Sequence, residues 1–122
     1  GVEKMKKMGF CDFALKLDAT NAVSCYKEIH KITDGKMADV VINCVNVPNT
    51  EMSSILMTRE RGTVYFFSMA TSFTKAALGA EGVGKDIDMI IGNGYMKGHA
   101  EISLDILRKS KIIRKEYEKH YA

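Results

Sequence analysis

Polar residues gather where four short apolar runs of this chain stop. Asp18 follows Phe13–Leu17, Asn43 to Asn46 follow Val40–Ile42, Ser68 follows Val64–Phe67, and Asn93 follows the run that ends at Ile91. In an open parallel sheet, ligands bind outside the carboxyl ends of the strands. Any one of these residues by itself serves as a helix cap or a turn residue. Together they predict a ligand edge.

Other candidate chemistry is weaker. Gly82-Val83-Gly84-Lys85-Asp86-Ile87 opens like a phosphate-binding glycine loop but lacks its third glycine. It also precedes a strand, whereas such a loop follows one and opens a helix. Gly92 to Gly98 has the right placement, yet only helical-looking sequence follows, with no strand to complete a βαβ unit. It reads as the turn by which the chain leaves its last strand. The alternative is a phosphate-binding turn in a small stand-alone α/β module. Cys11, Cys25 and Cys44 form no C-x-x-C pair, and Cys25 and His30 miss the i, i+4 spacing of a shared metal, so no metal site is expected. Ser68, Thr71 and Ser72 lie at a strand end, but no G-x-S-x-G elbow accompanies them and their ordinary role is helix capping.

The elements that must position these residues follow from periodicity. Val2, Met5 and Met8 mark a short amphipathic helix ended by Gly9. Phe13–Leu17 reads as a strand. Ala22, Val23, Tyr26, Ile29 and Thr33 mark a helix closed by Asp34-Gly35. Asp39–Val45 is a strand, Glu51–Met57 a short helix, and Arg61-Gly62 the turn into a strand over Thr63–Met69. Thr71–Ala80 is helical, broken by Gly79, Gly82 and Gly84; Asp86–Ile91 is the fourth strand. His99–Lys109 and Lys111–Tyr121 form one or two helices. Val40–Ile42 and Val64–Phe67 are apolar on both faces, as strands of a parallel sheet covered by helices are. The expectation is α/β: a mostly parallel sheet of about four strands between helical layers.

With 122 residues the chain is one domain by length, and its 46% apolar and 27% charged content is that of a globular protein. A net charge of +3, with 15 acids among the bases, argues against nucleic acid. No apolar run approaches the roughly 20 residues of a membrane span. The charged opening Gly1–Met8 lacks the apolar core of a signal peptide, and three unpaired cysteines fit a reducing, cytoplasmic setting.

Asp39-Val40-Val41-Ile42-Asn43-Cys44-Val45, followed about twenty residues on by Arg61-Gly62-Thr63-Val64-Tyr65-Phe66-Phe67, resembles the second half of the nucleotide-binding domain of medium-chain dehydrogenases. A more particular resemblance runs over most of the chain. Its most idiosyncratic part is FFSMATSFTKAALGAEGVGKD. It is to the carboxyl-terminal part of the family of L-erythro-3,5-diaminohexanoate dehydrogenases of lysine fermentation. The resemblance implies a partial Rossmann-like three-layer fold whose first glycine-rich βα unit is absent from these residues. It implies NAD or NADP as cofactor, a small amino-acid substrate and a homo-oligomer. By position it places Asp18 and Ala19 at the adenine edge. It places Cys44, Val45, Asn46, Phe67, Ser68, Gly92, Asn93 and Gly94 on the nicotinamide side.

Overall fold

A computed structural model describes residues 1–92 and 96–121. Its elements run α1 (Val2–Lys7), α2 (Ala22–Ile32), β1 (Ala38–Asn43), α3 (Glu51–Met57), β2 (Thr58–Phe66), α4 (Phe73–Val83), β3 (Asp88–Ile91), α5 (His99–Lys109) and α6 (Lys111–Tyr121). They divide into two compact units, Lys16–Asn93 and the pair Gly1–Leu15 with Gly94–Ala122.

The first unit is α/β, as the alternation of elements predicts. Its sheet is parallel, in the order β1-β2-β3. The register sets Val41 beside Val64 beside Met89, and Ile42 beside Tyr65 beside Ile90. Two successive crossovers in the same direction carry their helices to the same face. There α3 and α4 bury Val64 and Phe66 against Ile55 and Ala76, with Val41, Ala80, Ile87 and Met89 packed around them. Helix α2 lies against α3 and is capped by Asn21, whose Oδ1 accepts the Ser24 N–H.

The alternate residues of the strands behave differently. Val40, Ile42, Phe67 and Ile90 are exposed, Ile42 by 64%. The apolar runs therefore do not mean burial on both sides here. Covering the second face takes a helix from a crossover running the other way.

Among the described residues three strands are seen where four were expected. Phe13–Leu17 makes no ladder with any described strand, and Phe13 is exposed. A five-residue run has too little intrinsic preference to hold a strand without a pairing partner. In a doubly wound sheet the strand before the switch point pairs with strands other than the one that follows it. Nothing between Phe13 and Asn43 offers that pairing.

Two expected breaks prove to be packing features. Arg61-Gly62 is not a turn before a strand but a bulge within β2, which leaves α3 directly at Thr58. The ladder steps from Ala38 opposite Thr58 to Val40 opposite Thr63, and Arg61 takes a φ of 59°. Helix α4 continues through Gly79 and Gly82 to a left-handed Gly84. A Cβ on Gly79 would sit 3.2 Å from Ile55 and 3.3 Å from Met52, so this glycine sets the close approach of α3 and α4.

The second unit contains α1, α5 and α6. Lys4 of α1 pairs with Glu116 of α6. Ser110 divides α5 from α6, its Oγ accepting the Ile113 N–H. Among the described residues, no helix is long and apolar enough to cross a membrane.

Candidate functional site

The carboxyl edge of the sheet is stitched beyond the strands themselves. The Phe67 N–H donates to the Asn43 carbonyl at 3.0 Å, and the Gly92 N–H to the Phe66 carbonyl at 3.1 Å. These bonds bring the ends of β1, β2 and β3 into one rim. Against the rim lies a cavity of about 170 Å³ lined by Phe67, Ser68, Met69, Thr71, Phe73, Ile91 and Gly92. Its walls are mainly aromatic and aliphatic, with the Ser68 and Thr71 hydroxyls among them. Such a lining accepts a flat ring with a polar substituent.

Each wall is held by local chemistry. The Ser68 carbonyl accepts the Thr71 N–H and its hydroxyl accepts the Ala70 N–H, folding residues 68–71 into a tight turn. Ser72 then caps α4, accepting the Lys75 N–H. Phe67 stacks on Tyr65, with ring centroids 6.2 Å apart. Tyr65 in turn lies so close over Gly92 that a Cβ there would overlap its hydroxyl. Only glycine fits.

The loop after β1 is anchored at both ends. Asn43 is 5% exposed; its Nδ2 donates to the hydroxyls of Thr50 and Ser54, both at 2.9 Å, and its Oδ1 accepts the Val45 N–H at 3.0 Å. Glu51, 3% exposed, accepts the Ser72 N–H at 2.7 Å and so ties the start of α3 to the start of α4. Lys75 reaches across to Asn49.

The expected site residues therefore fall into separate groups. Phe67, Ser68 and Gly92 converge on the cavity. Cys44, Val45 and Asn46 sit on the neighbouring exposed loop and do not line it. Asp18 and Ala19 form a third place, a turn pinned from below: the Asp18 carbonyl accepts the Cys25 thiol and the Ala19 carbonyl accepts the Ser53 hydroxyl at 2.6 Å. The Thr20 hydroxyl and N–H bond the Asp18 carboxylate and hold its pKa below the usual Asp value. Asn93 and Gly94 lie outside the described residues. Of the glycine stretches, Gly82-Val83-Gly84 is the terminus of α4, and Gly98 is the left-handed residue before α5.

Sequence reasoning places Thr71 at the strand end as a capping residue, and misses Tyr65, Met69, Phe73 and Ile91 as lining or shaping residues. The period of two from Tyr65 to Phe67 carried the signal for one of them.

The Zinc-binding dehydrogenase family model matches residues 1–105, and the chain belongs to that family. Among curated relatives, it is 61% identical over 118 residues to the L-erythro-3,5-diaminohexanoate dehydrogenase of Acetoanaerobium sticklandii. The match takes in 97% of this chain and 34% of that protein. It is 57% identical over 104 residues to the protein of the same name in Fusobacterium nucleatum subsp. nucleatum, covering 85% of this chain and 30% of that one. The chain thus spans about a third of the length of these relatives. Among the described residues no three His, Cys, Asp or Glu side chains cluster so as to hold a metal ion.

Proposed function

We propose that this chain supplies the nicotinamide side of the cofactor site in an NAD- or NADP-dependent enzyme. That enzyme oxidatively deaminates L-erythro-3,5-diaminohexanoate to 5-amino-3-oxohexanoate in cytoplasmic lysine fermentation. The observation that supports this most is the convergence of Phe67, Ser68 and Gly92 on one cavity at the carboxyl edge of a parallel sheet. The similarity to diaminohexanoate dehydrogenases supplies the substrate. When bound, the nicotinamide provides a hydride acceptor for C3 of the diamino acid, and water then hydrolyses the substrate imine to the ketone and ammonium. The residues of this chain orient the nicotinamide. Phe67 and Phe73 offer an apolar wall for the ring to pack against. Gly92 lets the backbone approach beneath Tyr65, and Ser68 and Thr71 offer polar groups to a carboxamide. Asp18 and Ala19 form the adenine edge, and Cys44 to Asn46 the loop beside the nicotinamide ribose.

No glycine-rich turn in these residues follows a strand and opens a βαβ unit, so the pyrophosphate has no cradle here. The 122-residue chain titrated with NAD and NADP is expected to bind in the millimolar range, to show amide shifts at Phe67, Ser68 and Gly92, and to catalyse nothing alone. Micromolar binding would overturn the absence of the cradle. Binding without shifts at that rim would overturn the site.

A further inference from the structure

The geometry points to Asn43 as a positioning residue that sets the loop beside the nicotinamide through a fully used buried amide. The inference rests on the reading of the sheet edge as the nicotinamide side. Residues 44–49 are all exposed, yet Asn43 before them and Thr50 after them are buried. A loop of this kind has little packing of its own to fix its shape. Asn43 fixes its start, while Lys75 holds Asn49 near its end. Both amide protons are spent on Thr50 and Ser54 of the α3 start, and Oδ1 holds the Val45 N–H. The Asn43 main-chain carbonyl accepts from Phe67, the first residue of the cavity wall. One residue therefore sets the loop, the helix start and the β2 rim relative to one another. The two hydroxyls have their own acceptors: Thr50 donates to the Val47 carbonyl at 3.5 Å and Ser54 to the Thr50 carbonyl at 3.0 Å. They are left to accept from Asn43, so the site is built for a donor at this position. Aspartate has the same shape but offers two acceptors to oxygens already committed as donors elsewhere.

The test is a chemical-shift titration of the 122-residue chain with nicotinamide mononucleotide and, separately, adenosine monophosphate. Asn43→Asp keeps the Val45 acceptor and loses both donors. It is expected to weaken the nicotinamide ligand about tenfold while leaving the adenosine ligand within about twofold. Ser54→Ala is the smaller change: it removes one acceptor for Asn43 and the Ser54 hydroxyl's own bond to the Thr50 carbonyl, and it buries no new charge. It is expected to weaken the nicotinamide ligand about threefold. Equal loss for both ligands would mean a general structural role and would overturn the inference. So would nicotinamide binding unchanged in both variants. No nicotinamide binding by the unsubstituted chain would instead overturn the functional reading, and this inference with it.

Discussion

Gly62 and Gly92 show how differently two glycines constrain the same strand. At Gly62 an added Cβ would meet Thr58 Cγ2 at 2.6 Å and the carbonyls of Arg59 and Asp39 at 2.9 Å. Two of those three neighbours are backbone and cannot swing aside. At Gly92 the obstacle is the Tyr65 ring, a side chain. Gly62→Ala is therefore expected to lose about 2–3 kcal/mol in urea unfolding, and Gly92→Ala less. Equal losses would show that the ring is as fixed as the backbone. Asp18 gives a second residue-scale expectation. Its carboxylate is stabilised by Thr20, so its folded pKa is depressed. The contribution is present above the unfolded Asp value and is lost as pH falls through the folded one. Thr20→Ala should move the Asp18 titration upward in an NMR pH series, and an unmoved curve would contradict the assignment.

Helix α3 is short, and it holds its ends with side chains. Glu51 at its start takes the Ser72 N–H. At its end Lys85 Nζ donates to the carbonyls of Ile55 and Leu56, both at 3.1 Å. Partial burial draws the Lys85 pKa down, against the pull of Glu60. Lys85→Met is expected to cost about 1 kcal/mol of stability at neutral pH, since two terminal carbonyls lose a charged donor. No change in the unfolding midpoint would mean that water replaces it fully. The two faces of the sheet offer a sharper contrast. Ile55→Ala, in the core, should cost about 2–5 kcal/mol. Ile42→Ser, on the exposed face, should stay within about 0.5 kcal/mol in this chain.

At the scale of the molecule, β1 and β3 are both edges of the sheet, and Val40, Ile42 and Ile90 are exposed on one face of it. Unpaired edges next to apolar surface promote pairing with another copy. Sedimentation should show association that grows with concentration, and Ile42→Lys should reduce it. A clean monomer at high concentration would count against an open edge.

The sequence by itself determined the alternation of helices and strands, the parallel sheet, and the strand ends as the place for polar residues. Those follow from periodicity, caps and glycine placement, which act within a few residues. Only the tertiary structure decided that Phe13–Leu17 does not join the sheet, because strand formation needs a partner distant in the chain. It alone decided that helices cover the Val64 face and leave the Ile42 face exposed, because crossover direction is not written in either strand. It also sorted the strand-end residues into a cavity at Phe67, Ser68 and Gly92, a loop held by Asn43, and a separate turn at Asp18. The first depends on register between strands and the other two on how helices α2 and α3 pack and cap, none of which the local sequence encodes.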